Sequence, residues 1–334
     1  MRRVLRRIRR VEKEESEVAI DQATQQFLAQ AAEAAGPDAK AMHEMTPAEA
    51  RAGALATLDL IGPGAAVAEV ENLELRSDEG AAPFEVRVLK PTEEPQGILV
   101  YLHGGGWVVS DIVAYDAIGR QLAVNTGYTV VLVNYRKAPE APYPAAVEDS
   151  WTALTWVDEH RADLAVSGAP LVVAGDSAGG NLTAAMTLRA RDGGGPQIDY
   201  QVLVYPVTDA DFTRPSYLDP ENQLLLSTGT MEWFWDHYAP LERRSEQDAA
   251  PLRAASLAGL PDAYVVIAEH DVLRDEGEAY AERLAAEGVD VETELFGGQM
   301  HGFISMFNIL PSSAELIDRI SGKVLQHASK EAVR

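Results

Sequence analysis

The segment at residues 175–179 reads Gly-Asp-Ser-Ala-Gly and holds the residue with the clearest chemical purpose in this chain. An apolar run, Leu-Val-Val-Ala, precedes it, and a helical pattern begins near Ala178. A Gly-x-Ser-x-Gly motif between a buried strand and a helix holds its serine in a strained turn that exposes the hydroxyl. We therefore predict that Ser177 is a nucleophile. The alternative is an ordinary serine in a glycine-rich turn.

A second glycine-rich segment, His-Gly-Gly-Gly-Trp at 103–107, directly follows the apolar stretch 98–102. Glycines leave backbone N–H groups unobstructed, and this suits an oxyanion hole, which stabilises the negative oxygen formed during acyl transfer. A phosphate-binding loop is disfavoured because no Gly-Lys-Ser/Thr signature accompanies the glycines. We expect His103 to anchor the loop and to take no part in catalysis.

A nucleophilic serine needs a base, and the base needs a carboxylate to orient it. His301 follows the last predicted strand, and Asp271 follows the strand before it. The resulting order Ser177, Asp271, His301 is the one in which α/β-hydrolases carry their triad. Asp275 is the rival acid, although we expect it to cap the following helix. His270 is disfavoured as a metal ligand because no His-Glu-x-x-His motif or carboxylate cluster accompanies it, so no metal is predicted.

Short apolar runs alternate with helical patterns along most of the chain, which predicts a doubly wound, mostly parallel sheet. A Thr-Pro-Ala-Glu sequence at 46–49 has the form of a capping box and starts a helix predicted to end near Asp59. The stretch 207–250 interrupts the alternation and holds no predicted strand. The predicted strands are 68–75, 84–89, 98–102, 128–134, 171–174, 200–205, 263–268 and 291–296, and the helical patterns include 21–35, 145–160, 178–191, 276–287 and 314–326.

Composition excludes several classes of protein. The 334 residues carry a formal net charge of −24, which disfavours nucleic-acid binding because phosphate backbones are repelled. There is no cysteine, which excludes disulfides, iron–sulfur clusters and cysteine-ligated zinc. No apolar run approaches the roughly 18 residues needed to span a bilayer, so stable membrane insertion is not expected. Six arginines crowd the first ten residues without the apolar segment of a signal peptide, so we expect a cytoplasmic location.

Taken together, these motifs resemble the hormone-sensitive-lipase family of α/β-hydrolases, a group of bacterial carboxylesterases that share His-Gly-Gly-Gly and Gly-Asp-Ser-Ala-Gly-Gly. Further matching stretches lie at 134–140, 143–149, 271–277 and 301–303, and the resemblance extends from about residue 45 to the end of the chain. The first 18 residues have no counterpart in the family.

The resemblance implies an α/β-hydrolase fold, with an eight-stranded, mostly parallel sheet under a helical cap. The catalytic domain would comprise 56–206 and 251–334. The cap would combine the N-terminal helices within 1–55 with an insertion at 207–250, while 1–18 form an extension of unknown role. The resemblance also implies that the oxyanion hole consists of the N–H groups of Gly105, Gly106 and Ala178.

The implied activity is hydrolysis of short- to medium-chain acyl esters through an acyl-enzyme, with a small-molecule ester as substrate and without a cofactor. Large aromatic residues are expected to narrow the pocket, although ordinary cap packing also explains them. Two alternatives remain: the same triad acting on an amide, carbamate, lactone or acetylated sugar, and a non-catalytic small-molecule receptor. The presence of His301 disfavours the receptor. A homodimer is left open. The candidate substrate-binding aromatics are Trp107, Trp233, Phe234 and Tyr238, with Trp235 beside them.

Overall fold

One sheet of eight strands organises the protein in a computed structural model that describes residues 19–37, 39–55 and 61–331. The strand order is β1-β2-β4-β3-β5-β6-β7-β8. The pairs β1–β2 and β2–β4 are antiparallel, and all other neighbours are parallel. The predicted α/β-hydrolase architecture is thereby confirmed. The strands are β1 (Glu69–Leu75), β2 (Phe84–Lys90), β3 (Ile98–Leu102), β4 (Thr129–Asn134), β5 (Leu171–Asp176), β6 (Tyr200–Val204), β7 (Asp262–His270) and β8 (Val291–Met300).

Helices cover both faces of this sheet, so alternate strand residues enter different cores. Val100 packs into one core, while Leu99 and Tyr101 pack into the core on the opposite face. Both faces of the central strands are apolar, as buried parallel strands require. The helices within the described residues are α1 (Gln22–Ala35), α2 (Pro47–Leu55), α3 (Asp116–Thr126), α4 (Ala145–Glu159), α5 (Arg161–Leu164), α6 (Ala178–Gly193), α7 (Pro215–Leu218), α8 (Thr228–Tyr238), α9 (Arg274–Ala286) and α10 (Pro311–Glu331).

Helix α3 was absent from the sequence-based prediction. Its sequence contains Gly119, which is unfavourable in a helix interior by about 1 kcal/mol relative to alanine. The structure explains the glycine, because a Cβ atom there would lie 2.9 Å from the side chain of Leu132 on β4. Tertiary packing of α3 against the sheet therefore outweighs its weak intrinsic helix propensity.

The two N-terminal helices begin as their sequences predict. The carboxylate of Asp21 caps α1 by accepting hydrogen bonds from the amides of Ala23 and Thr24. Thr46 and Glu49 form the predicted capping box at the start of α2, each side chain accepting from the other's backbone N–H. The predicted end of this helix near Asp59, and the 1–18 extension, lie outside the described residues.

The 207–250 stretch contains α7, α8 and short 3-10 turns, and it contributes no strand to the described sheet. The inward face of α8 packs its apolar side chains, among them Met231 and Trp235, into the same core as Val100. This contact holds the insertion against the sheet. Among the described helices, none has the length and apolar character needed to cross a membrane.

The glycine with the least room for a side chain yields a stability prediction. A Cβ atom at Gly179, in the first turn of α6, would lie 1.9 Å from the carbonyl oxygen of Leu102 on β3. Gly179→Ala should therefore lower the free energy of unfolding by about 3 kcal/mol, because neither backbone can retreat without breaking the sheet. Urea titration followed by circular dichroism measures this change.

Gly193→Ala is the matched control, since a Cβ there meets nothing within 4 Å and the residue ends the same helix. Its stability should stay the same or rise slightly. Equal stability of the two variants would contradict the packing argument.

Candidate active site

The turn between β5 and α6 holds Ser177 in a backbone conformation that side chains rarely adopt, with φ +56° and ψ −119°. Two backbone hydrogen bonds fix this turn: Ser177 N–H donates to the Val204 carbonyl at 2.9 Å, and Val207 N–H donates to the Ser177 carbonyl at 3.1 Å. A Cβ atom at Gly175 would lie 2.3 Å from the Gly179 carbonyl oxygen, so glycine is required on both sides of the serine. This is the strained nucleophile turn that the motif predicts.

Three loops at the carboxyl ends of β5, β7 and β8 bring the serine, aspartate and histidine together. The Oγ atom of Ser177 lies 2.9 Å from Nε2 of His301, and Nδ1 of the same ring lies 2.7 Å from Oδ2 of Asp271. The other oxygen of Asp271 accepts a hydrogen bond from the amide of Leu273 at 2.9 Å. Asp271 is almost fully buried, and this fixes the orientation of its carboxylate.

The direction of these hydrogen bonds determines which proton transfer the serine, histidine and aspartate can carry out. A carboxylate only accepts, so the Asp271 contact places the histidine proton on Nδ1. The lone pair of Nε2 then faces the serine hydroxyl and can take its proton. The tautomer is inferred from this network. The arrangement is that of a general base held by an acid beside a nucleophile.

The rival groups are occupied elsewhere. The Asp275 carboxylate accepts a hydrogen bond from the amide of Ser216 at 2.8 Å, which ties α9 to α7. The prediction that Asp275 caps α9 is wrong, because that helix begins at Arg274 with Leu273 in the capping position.

Within residues 19–37, 39–55 and 61–331, no group of three or more His, Asp or Glu side chains could hold a metal ion.

The loop at 103–109, termed the oxyanion loop, supplies unobstructed amides. Gly105 and Gly106 have φ values of +117° and +56°, and the Gly105 carbonyl accepts hydrogen bonds from Val108 and Val109. Within the described part of the chain, neither glycine N–H donates to a protein acceptor. Ala178 is the first residue of α6, where a helix leaves its N–H groups unpaired. The three predicted amides are therefore free to serve an oxyanion; their catalytic role stays a proposal.

Asp176, which precedes the serine, links the nucleophile turn to the oxyanion loop. Its carboxylate accepts hydrogen bonds from the Gly104 amide at 3.0 Å, the Tyr101 hydroxyl at 3.0 Å and the Tyr115 hydroxyl at 2.8 Å. Burial raises the pKa of this carboxyl to about 6. The sequence motif located Asp176 but carried no signal for these partners, which come from two segments: the end of β3 with the loop after it, and the residue before α3.

The outer part of the oxyanion loop is held by different residues. The His103 ring is buried and stacks on Tyr135 at 4.3 Å between centroids, and the Tyr135 hydroxyl donates to the His103 carbonyl at 2.7 Å. Burial lowers the pKa of His103 to about 3, so the ring is neutral. Ala138 N–H donates to the Trp107 carbonyl, and Arg51 Nε donates to the Val108 carbonyl at 2.8 Å. His103 thus anchors the loop, as expected.

The aromatic residues divide into two groups. Trp107 and Tyr238 are 0% and 1% exposed and stack on one another at 3.9 Å, with the edge of Trp235 against Trp107. These rings belong to the core beneath the oxyanion loop, so the predicted substrate contact of Trp107 and Tyr238 is replaced by a packing role. Phe234 is also buried in this core, but its ring packs against the oxyanion loop, where a Cβ atom at Gly106 would lie 2.2 Å from it. Trp233 beside it is half-buried.

Sequence reasoning missed Glu276, a fully buried carboxyl in the first turn of α9. Its Oε1 accepts hydrogen bonds from the amides of Thr208 and Asp209 at 2.7 and 3.3 Å, and its Oε2 lies 3.1 Å from the Tyr217 hydroxyl. The contacts join the start of the 207–250 stretch to the helix that follows Asp271. An acidic residue in the first turn of a helix is common, so the sequence offered no signal for this role.

Comparisons with known proteins agree with this geometry. Residues 99–305 match a family model described as the α/β-hydrolase fold, a range that includes all three residues of the Ser–His–Asp group. Carboxylesterase NlhH of Mycobacterium tuberculosis is 40% identical over 258 residues, 74% of this chain and 81% of that protein. An ethyl acetate hydrolase of Pseudomonas putida is 33% identical over 266 residues, 77% and 83% of the two chains. The crystal structure of a thermostable esterase from Pseudomonas putida aligns with a TM-score of 0.85 and 34% identity, over 94% of this chain and 99% of that one.

The buried acid of α9 predicts how stability depends on pH. Burial raises the pKa of Glu276 to about 8 from an ordinary value of 4.5. Between these values the unfolded chain is ionised at this residue while the folded chain keeps the proton. The unfolded state therefore binds fewer protons, and the free energy of unfolding falls by about 1 kcal/mol per pH unit as pH rises.

Glu276→Gln should remove this contribution, because the amide oxygen still accepts from Thr208 and Asp209 but cannot ionise. Urea titrations from about pH 5.5 to about pH 7.5 should show a flatter dependence for this variant. Glu282→Gln, an exposed change on the same helix, should keep the wild-type slope. Identical slopes for all three proteins would contradict the assignment of a protonated Glu276.

Proposed function

The chain belongs to the hormone-sensitive-lipase-like family of α/β-hydrolases and is an ester hydrolase, and we propose that it acts as a serine carboxylesterase through an acyl-enzyme formed on Ser177. The observation that carries the proposal is the continuous hydrogen-bonded chain from Ser177 through His301 to Asp271. It supplies a nucleophile, a base and an orienting acid in one line, beside amides that have no acceptor among the described residues.

In the proposed reaction, Ser177 Oγ attacks the ester carbonyl carbon while Nε2 of His301 takes the hydroxyl proton. The carbonyl oxygen becomes negative and accepts hydrogen bonds from the amides of Gly105, Gly106 and Ala178. Asp271 keeps the imidazole in the required tautomer and stabilises its positive charge. His301 then protonates the leaving alcohol, and this breaks the ester bond and leaves the acyl group on the serine.

Deacylation repeats these steps with water in place of the serine hydroxyl. His301 removes a proton from the water, whose oxygen attacks the acyl carbon, and the proton returns to Ser177 Oγ as the carboxylic acid departs.

The same three catalytic residues would hydrolyse other acyl bonds, so an amide, carbamate, lactone or acetylated sugar remains the second candidate substrate. The complete Ser–His–Asp group favours catalysis over a receptor role.

We further propose that the preferred acyl chains are short to medium. The Phe234 ring lies against Gly106 and so limits the space over the oxyanion loop. Two narrower expectations remain predictions. One is a cytoplasmic location, and the other is a homodimer, for which the edge strand β8 is available for pairing.

Ser177→Ala tests the proposed nucleophile. Steady-state kcat on p-nitrophenyl butyrate should fall by about 10⁴-fold or more, because the three residues act as a unit. Thermal unfolding should be unchanged, which shows that the fold is intact, and Ser329→Ala on the exposed surface of α10 should keep wild-type activity. A Ser177→Ala protein with a tenth of the wild-type kcat would exclude Ser177 as the nucleophile.

The limit on acyl length is tested with p-nitrophenyl esters of two to sixteen acyl carbons. We expect kcat/KM to peak at about four to six carbons, because each buried methylene contributes up to about 0.8 kcal/mol until the pocket is full. Phe234→Ala should move the peak to longer chains by removing the ring over Gly106. Phe212→Ala, a half-buried aromatic of the same insertion, is the control and should leave the peak in place. A wild-type peak at twelve or more carbons would contradict the small pocket.

A further inference from the structure

A cavity of about 530 Å³ lies beside the oxyanion loop and is lined by residues that the proposed reaction does not use. Ser110 and Asp111, which directly follow the loop, form one side of it. The opposite side comes from the segment after β4, and none of the three triad residues lines the cavity. Its polar lining residues are Arg51, Ser110, Asp111, Asn134, Arg136, Lys137 and Glu140.

The two arginines of this cavity are already neutralised. The Arg51 guanidinium contacts both carboxylate oxygens of Glu140, at 2.8 and 2.6 Å. Arg136 makes a matching two-point contact with the buried Asp149, with its Nη2 at 2.7 Å from Oδ1 and its Nε at 2.8 Å from Oδ2. Paired arginines of this kind hold their positions and leave little charge for a ligand.

Lys137 has no such counter-ion. Its ammonium donates to the side-chain oxygen of Asn134 at 2.7 Å and to the Tyr135 carbonyl at 3.4 Å, and both acceptors are neutral. Across the described residues, no carboxylate lies within 4.0 Å of it, whereas Lys40, Lys90 and Lys323 each contact a glutamate. Burial lowers the pKa of Lys137 to about 8. The carboxylates of Asp111 and Glu140 attract this half-buried cation only from beyond 4.0 Å, so its direct partners are neutral and an anion is favoured as a further ligand.

We propose that Lys137 anchors a second ligand site, which binds the carboxylate of a small monocarboxylic acid. Asp111 lines the same cavity and repels a dianion such as phosphate more strongly than a monoanion, so a single negative charge fits best. Ala82 and Ala141 complete the lining and offer apolar contacts for a short hydrocarbon chain. The choice of a carboxylic acid rests on the proposed function, because ester hydrolysis releases molecules of this class.

Butyrate binding measured on protein whose active site is blocked tests this site. Wild-type protein is first treated with phenylmethanesulfonyl fluoride, and mass spectrometry confirms one label. Carbon-13 NMR of labelled sodium butyrate then reports binding at constant ionic strength. We expect binding to survive the block, and Lys137→Met to raise Kd by about tenfold or more, since hydrogen bonds between charged groups are strong.

Two further variants control for charge and folding. Lys137→Arg keeps the cation and should retain binding, while Lys323→Met removes the same charge at a distant lysine and should bind as the wild type does. Loss of all butyrate binding on blocking the serine, or an unchanged Kd in Lys137→Met, would overturn the second site. If phenylmethanesulfonyl fluoride does not label the protein, this counts against Ser177 as the nucleophile. The comparison of butyrate Kd between wild type and Lys137→Met would still decide the second site.

Discussion

The carboxylate of Asp176 is the point at which the two halves of the active site are joined. Asp176 is the last residue of strand β5, and its carboxylate accepts hydrogen bonds from the amide of Gly104 and from the hydroxyls of Tyr101 and Tyr115. The oxyanion loop and the nucleophile turn are therefore held to the same buried group. A buried carboxylate is costly unless its hydrogen bonds are satisfied, so the three donors both stabilise it and determine its position.

A close approach of backbones adds to this constraint. Helix α6 begins so near to β3 that its first turn tolerates no side chain at Gly179. The approach brings the amino terminus of the helix beside the oxyanion loop, where the Ala178 amide can join those of Gly105 and Gly106. The positive φ of Ser177 strains the backbone locally, and the packing of the surrounding sheet and helix compensates for this strain.

The positions of the acid, Asp271, and the base, His301, depend on the parallel arrangement of the strands. In a parallel sheet the carboxyl ends of all strands lie at one edge, so loops after β5, β7 and β8 meet although their residues are far apart along the chain. Glu276 then ties the helix after Asp271 to the segment that follows β6. The helix that follows Asp271, whose carboxylate orients His301, is thus held to the 207–250 stretch by hydrogen bonds.

Much of this arrangement was determined by local sequence. The glycines around Ser177 and after His103, the apolar runs of the central strands and the capping box at Thr46 each specify their structure through short-range sterics or hydrogen bonds. The positions of the strands along the chain and the candidates Ser177, Asp271 and His301 could therefore be predicted. Other features arise only when distant segments meet. Helix α3 forms despite Gly119 because the sheet packs against it.

Tertiary contacts also decided what individual side chains do. Asp275 contacts Ser216 in place of a capping role, and Trp107 became a core residue because Tyr238 covers its face. Within the described residues Lys137 forms no ion pair, and this likewise depends on the pairing of Glu140 with Arg51 and of Asp149 with Arg136. A residue's type and spacing determine which chemistry it can offer. Its burial and its partners depend on chain segments many residues away, and only the folded structure brings these together.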